Sequence, residues 1–156
     1  LKSGYYQVTM APEDAAKTAF VTDEGCYEYT RLPFGLQGAP ATFQRLAMML
    51  IKQLGSLHAL AFLDDLILFH PDLPSHTRDL RQMLQVLRTA GLTLQLSKCY
   101  FAQSEVGYLG HIVSKEGIRP DDRKLRAVAE FGRPSNIKQL RSFLGLCSYY
   151  RRFVEN

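Results

Sequence analysis

Leu60-Ala61-Phe62-Leu63-Asp64-Asp65-Leu66-Ile67-Leu68-Phe69 sets two short apolar runs on either side of two adjacent carboxylates. Each run is rich in Leu, Ile and Phe and reads as a buried strand. The carboxylates fall at the reversal, where Asp tolerates turn geometry. The stretch therefore predicts a tight hairpin with an acidic tip on a hydrophobic base. Two carboxylates about 5 Å apart, at an effective dielectric of about 20, repel by roughly 3 kcal/mol. A fold sustains that repulsion when water bathes the pair or when a cation sits between them, and hard oxygen ligation suits Mg²⁺. Taken alone, such a pair is far more often a solvated acidic turn, and the apolar flanks that hold the tip on a rigid base narrow that margin without closing it.

Working outward, a chain of 156 residues, 46% of them apolar, holds one core, with room for a small appendage. No run approaches the length of a membrane span, and no signal peptide is visible, so no membrane partner is expected. The first residue is Leu1 rather than Met, which raises the expectation of a piece cut from something longer. Cys26, Cys99 and Cys147 are odd in number and widely spaced, an argument against a disulfide framework or a zinc site and for a reducing compartment. His58, His70, His76 and His111 show no ligand spacing and are expected at the surface or in turns. Charge is uneven. Residues 119–156 hold nine Lys and Arg against four Asp and Glu, whereas the other 118 residues hold ten against eleven. A basic end on an acidic-tipped body fits a polyanion gripped by one part and acted on by the other, or simply a solvated basic helix.

Along the chain, Tyr6–Met10 reads as a strand start and Ala11-Pro12-Glu13-Asp14 as a turn or helical turn. Thr18–Thr22 and Tyr27–Thr30 read as strands joined at Asp23-Glu24-Gly25. Leu32-Pro33-Phe34-Gly35-Leu36-Gln37-Gly38-Ala39-Pro40 is too punctuated for regular structure. Phe43, Leu46, Ala47, Leu50, Ile51 and Leu54 form one stripe of a helix over 41–54, with Met48 and Met49 expected at the core or its edge. After Pro71 and Pro74 a second helix runs to about Ala90, with Leu80, Met83, Leu84 and Leu87 on one face, and Gly91 ends it. Leu92–Leu96 and Val106–Val113 are strand-like, Glu116-Gly117 marks a turn, and Pro120 opens a basic helical region. The order predicts an α+β fold, an antiparallel sheet backed by two helices, followed by helices that can form a separate lobe.

These motifs, in this order, resemble the palm and thumb of reverse transcriptases, the RNA-directed DNA polymerases of gypsy-type LTR retrotransposons and retroviral Pol. The resemblance covers essentially the whole chain. It runs through Leu1-Lys2-Ser3-Gly4-Tyr5-Tyr6-Gln7, Lys17-Thr18-Ala19-Phe20, Leu32-Pro33-Phe34-Gly35-Leu36 and Ala39-Pro40-Ala41-Thr42-Phe43-Gln44. It continues through Phe62-Leu63-Asp64-Asp65 (Phe62 standing where the family more often has Tyr), Lys98-Cys99 and Tyr108-Leu109-Gly110-His111. It ends on Phe143-Leu144-Gly145-Leu146 and Tyr149-Tyr150-Arg151-Arg152-Phe153. The resemblance implies a palm over 1–114, without its N-terminal strand and the fingers, and the start of a thumb over 115–156.

It also implies two-metal nucleotidyl transfer, with deoxynucleoside triphosphates and a primer on an RNA or DNA template as substrates. Two Mg²⁺ ions serve as cofactor, with Mn²⁺ able to substitute. Asp64 is then the main metal ligand of the pair, with Asp65 in support. Lys98 is the general acid for pyrophosphate, against the alternative of a solvated lysine. Tyr5 packs under the deoxyribose, against the alternative of a core tyrosine, and Phe34 and Gly35 meet the incoming nucleotide. Leu109, Gly110 and His111 hold the primer end.

On a helical wheel, independently of the family, Leu140–Val154 puts Phe143, Leu146, Cys147, Tyr150, Phe153 and Val154 on one side. Arg141, Gly145, Ser148, Tyr149 and Arg152 lie opposite. Mid-helix Gly145 costs about 1 kcal/mol relative to Ala, and its missing bulk allows a duplex to approach between the arginines. Arg141, Gly145, Tyr149 and Arg152 are therefore expected at the template-primer.

The family places a further catalytic Asp immediately before the position of Leu1, with the fingers upstream and the connection and RNase H regions downstream. The chain by itself is accordingly expected not to polymerise, and in its parent to work with the rest of Pol in an intracellular, cytoplasmic particle. The competing expectation is a decayed or domesticated element that keeps the fold, and with it some binding of nucleic acid, without catalysis.

Overall fold

The computed structural model describes residues 1–55 and 58–154, in two compact units, Leu1–Cys99 and Tyr100–Asn156. The expected palm–thumb boundary between residues 114 and 115 lies at the turn between two strands of the second unit.

In the first unit the elements are α1 (Pro12–Ala15), β1 (Phe20–Thr22), β2 (Gly25–Tyr27), α2 (Ala39–Leu54), β3 (Ala59–Phe62), β4 (Asp65–Leu68) and α3 (Leu73–Thr89). The α+β class holds, with the strands distributed over separate antiparallel ribbons rather than one continuous sheet. The central layer is the β3–β4 hairpin, paired Ala59↔Leu68 through Phe62↔Asp65. Side chains alternate along it, so Ala59, Leu66 and Leu68 turn toward the helices. There they meet Leu50 and Leu54 of α2 and Met83 and Leu87 of α3, with Leu92 closing the cluster. Helix α2 starts with Pro40 in its first turn and stops at Gly55, whose φ of 65° suits a residue without Cβ. Helix α3 is capped by Asp72, whose carboxylate accepts from the Ser75 N–H, a bond that holds this carboxyl below the usual range. The β1–β2 ribbon is exposed at every position and is dressed by Phe20 against Tyr27 and Tyr29, ring centroids 5.9 and 5.4 Å apart.

Several expectations are corrected. The strand expected to start over Tyr6–Met10 does not form. Gly4–Gln7 is a 3₁₀ turn that folds Tyr5 and Tyr6 over Phe34, and only Thr9 bridges to Arg31. Leu92–Leu96 is not a strand, because the Gln7 side chain and the Lys2 N–H take the backbone groups of Thr93 that a ladder would need. Met48, Met49 and Leu84 lie open to solvent rather than in the core. His70 is buried, not superficial: its Nε2 lies 2.9 Å from Asp79 Oδ2, and its Nδ1 has no hydrogen-bond partner among the described residues.

In the second unit, β5 (Glu105–Tyr108), β6 (His111–Ser114) and β7 (Gly117–Pro120) form an antiparallel meander, followed by α4 (Asp122–Ala129) and α5 (Ile137–Tyr149). The apolar run over 106–113 is therefore two strands, reversing at Leu109–Gly110, and Pro120 ends a strand rather than opening a helix. Asp121 caps α4 and pairs with Arg123, whose guanidinium holds the carboxyl below its ordinary range. Asn136 caps α5 through the Gln139 N–H, and the Gln139 side chain reaches back to Ser135. The apolar helix foreseen to Val154 stops at Tyr149, a 3₁₀ turn over Arg151–Phe153 follows, and Val154 is exposed.

Phe43 on α2 is 0% exposed. Phe43→Ala is expected to destabilise the first unit by about 3–5 kcal/mol, read as a lowered urea midpoint.

Candidate active site

The tip of β3–β4 is a two-residue connection, Leu63-Asp64, between the paired residues Phe62 and Asp65. Leu63 takes a φ of 52°, whereas Asp64 keeps a negative φ. A two-residue loop with left-handed backbone only at its first position matches the twist of the flanking strands, but it is normally filled by Gly. What holds a leucine there is Gln44 on α2. Its Oε1 accepts from the Leu63 N–H at 2.6 Å, and its Nε2 donates to the Ala61 carbonyl at 3.1 Å. One side chain thus fixes the hairpin on both sides of the bend.

Asp64 and Asp65 are both exposed, and neither carboxylate accepts a hydrogen bond among the described residues. The structure brings them together as expected. Under the tip lies Gly4: a Cβ there would stand 2.9 Å from Phe43 Cζ and 3.2 Å from Asp64 Cβ, so only glycine lets the 3₁₀ turn sit this close. The Leu1 backbone nitrogen donates to the Asp64 carbonyl at 3.0 Å.

Tyr5 is half-buried, its ring centroid 5.0 Å from that of Phe34 and 5.3 Å from that of Phe43. Phe34 is 61% exposed, so the stack runs from the core at Phe43 out to solvent. Gly35 adopts a φ of 92° with open space where a Cβ would be. Its glycine is required by backbone conformation rather than by close packing against any of the described residues. Lys98 ends a 3₁₀ turn and is exposed.

Two exposed carboxylates without protein donors fit a hard divalent cation. Among the described residues no group of three or more His, Cys, Asp or Glu side chains is arranged to hold a metal.

In the second unit Leu109 (φ 49°) and Gly110 (φ 77°) form another two-residue turn, and His111 follows in β6. Arg141, Gly145, Ser148 and Tyr149 lie exposed on α5. Arg152 belongs to the next turn, its guanidinium 4.6 Å over the Phe153 ring, and is not on the same continuous helix face.

Residues 1–113 match the family described as reverse transcriptase (RNA-dependent DNA polymerase). This chain belongs to the reverse transcriptase family. It is 44% identical, over its whole length, to the retrovirus-related Pol polyprotein from transposon 297 of Drosophila melanogaster, of which it covers 15%. It is 41% identical to the Pol polyprotein from transposon gypsy of the same fly, again over its whole length and 15% of the relative. A foamy viral protease-reverse transcriptase solved in complex with double-stranded DNA superposes with a TM-score of 0.90 at 25% identity, over 98% of this chain and 27% of the other. The reverse transcriptase chain here thus spans only about 15% of the length of these curated relatives.

Gln44 and Gly4 stand inside sequence motifs that give neither of them a role. The signal for Gly4 is its place beside the two tyrosines. For Gln44 it is a polar residue next to Phe43 on an otherwise apolar stripe. Gln44→Ala leaves the Leu63 N–H and the Ala61 carbonyl without their partner. It is expected to cost about 1–3 kcal/mol, measured by urea unfolding, with the loss confined to the first unit.

Proposed function

We propose that, in its full-length protein, this chain supplies the palm (1–114) and the start of the thumb (115–156) of an RNA-directed DNA polymerase. That enzyme extends a primer with deoxynucleoside triphosphates on an RNA or DNA template. The observation that carries the reading is the acidic tip: two adjacent, unneutralised carboxylates, Asp64 on a two-residue turn and Asp65 at the start of β4, with the turn braced from outside by Gln44. A solvated turn needs no such bracing, whereas a ligand pair must be held to within a fraction of an ångström.

Asp64 and Asp65 are the residues that would hold Mg²⁺, and two such ions, with Mn²⁺ as a substitute, would activate the primer hydroxyl and neutralise charge on the triphosphate. A third carboxylate would come from the residue preceding Leu1, a position consistent with the bond from the Leu1 nitrogen to the Asp64 carbonyl. Tyr5, held edge-on by Phe43, offers a fixed ring edge against the sugar, and exposed Phe34 with Gly35 offers a surface for the base and backbone. Lys98, exposed to solvent, can carry a proton toward a leaving oxygen. The Leu109–Gly110 turn with His111 holds the primer. The open face of α5, with Arg141 and Gly145, and Arg152 beyond it, meets the phosphates of the duplex. The fingers, connection and RNase H regions of Pol are the remaining partners, within a cytoplasmic particle.

Asp64→Asn in the full-length protein should abolish primer extension while the urea midpoint holds or rises slightly, since removing one charge relieves repulsion at the tip. Near-normal extension by that variant would remove the assignment.

A Cβ added at Gly145 would have none of the described residues within 4 Å. Gly145→Leu should therefore favour the helix by several tenths of a kcal/mol and leave melting no lower. The added bulk should nevertheless speed release of a labelled template-primer and shorten the products made per binding event. Unchanged release and product length would make this face merely solvated.

A further inference from the structure

The two carbonyls of the Leu109–Gly110 turn are both taken by side chains from the end of α5. The Tyr149 hydroxyl donates to the Leu109 carbonyl at 2.6 Å, and the Tyr150 hydroxyl donates to the Gly110 carbonyl at 3.1 Å. The Gly110 carbonyl also accepts from the Asp121 N–H at 3.2 Å, and His111 Nδ1 lies 3.0 Å from the Leu109 carbonyl. The His111 ring packs among Tyr149, Tyr150 and Phe153 at centroid distances of 5.3, 5.6 and 5.6 Å.

Neighbouring residues of a continuous helix point in directions about 100° apart and do not reach one target together. These two do so because the helix stops at Tyr149 and the backbone turns at Tyr150 (φ −104°, ψ 10°), which sets the rings 4.8 Å apart and nearly perpendicular. A Cβ at Gly110 would lie 3.1 Å from the Tyr150 hydroxyl oxygen, so glycine at the second turn position also makes room for this contact.

We propose that Tyr149 and Tyr150 are positioning residues that tie the primer-holding turn to the duplex-facing helix, so that the two move as one body. This rests on the reading of Leu109–His111 as the primer-holding hairpin. Tyr149 thereby acts on the turn rather than on the template-primer directly. The exposure of Tyr149, 52%, argues for a role in placement over one in stability, because a hydrogen bond open to water contributes little net stability. Tyr150 is 6% exposed, and burial pushes its phenol above the ordinary range, so it stays protonated and able to donate at any working pH.

The test uses Tyr149→Phe with Tyr150→Phe in the full-length protein, beside Gly110→Ala, which strains the turn itself. The measurements are the melting temperature, the dissociation rate of a labelled primer–template duplex, and single-turnover extension at varied nucleotide concentration. With both hydroxyls gone, melting, duplex release and the half-saturating nucleotide concentration should be unchanged. The maximal extension rate should fall by about tenfold or more, the scale on which small misplacements of reacting groups act. Gly110→Ala should slow extension in the same way. If Gly110→Ala slows extension and the double Phe variant does not, the coupling is wrong and the primer-holding reading stands. If neither slows it, the primer-holding reading fails and takes the coupling with it. If the double Phe variant melts lower or releases duplex faster in proportion to its loss of rate, the tyrosines are a structural staple and the proposal is overturned.

Discussion

Both hairpin tips of interest place a leucine in left-handed backbone, and each is held there by a helix side chain. Leu63 at φ 52° and Leu109 at φ 49° occupy the first position of two-residue turns. A Cβ-bearing residue in this region costs on the order of 1–3 kcal/mol and persists only when its surroundings over-determine it. Gln44 does this for the first tip through the Leu63 N–H, and Tyr149 for the second through the Leu109 carbonyl. Neither hairpin is therefore a self-sufficient unit. The conformation of each of these turns is set by a helix beside it, and that dependence converts helix placement into turn placement.

In the first unit this dependence reaches back to a single packing locus. Phe43 and Gln44 are adjacent on α2: the first is wholly buried, the second grips the tip. Phe43 in turn touches the space over Gly4 and stacks edge-on with Tyr5. The same turn of helix thus sets the height of the acidic tip, the approach of the N-terminal 3₁₀ turn and the orientation of the aromatic beside it. The apolar stripe from Phe43 to Leu54 keeps α2 fixed against β3–β4 and α3, so the core is what makes the site rigid.

The elements legible in the sequence are those with long periodic signals. The stripe of α2, the face of α3 and the two apolar runs around Asp64-Asp65 predicted the central layer, and the carboxylate pair marked the tip. What was not legible depended on long-range polar contacts. Leu92–Leu96 alternates like a strand, yet its hydrogen bonds go to Gln7, a partner 86 residues away in the case of Thr93. Tyr6–Met10 has strand composition, but aromatic packing on Phe34 bends its first half into a 3₁₀ turn. The reversal at Leu109–Gly110 left no periodic signal inside a run that also holds Gly107, because no Asn or Asp announced it, and only the family resemblance placed a hairpin at Leu109-Gly110-His111. A histidine's burial beside Asp79 leaves no periodic trace at all. Of the candidate site, residue types and spacing marked the carboxylate pair, and only the family resemblance pointed to the aromatic at Tyr5. The bracing residues Gln44 and Gly4 emerged only once the tip had a shape.

The β1–β2 ribbon presents the opposite case. Its three cross-strand pairs are exposed on both faces, with Phe20 against Tyr27 and Tyr29 as its aromatic packing. An isolated two-stranded ribbon of this length is marginal in water. It opens without disturbing the core beneath α2 and α3, so its amides exchange with solvent through local fraying rather than through global unfolding. The same cheap opening makes Asp23-Glu24, at its bend, the natural place for a protease to cut a chain that is otherwise still folded.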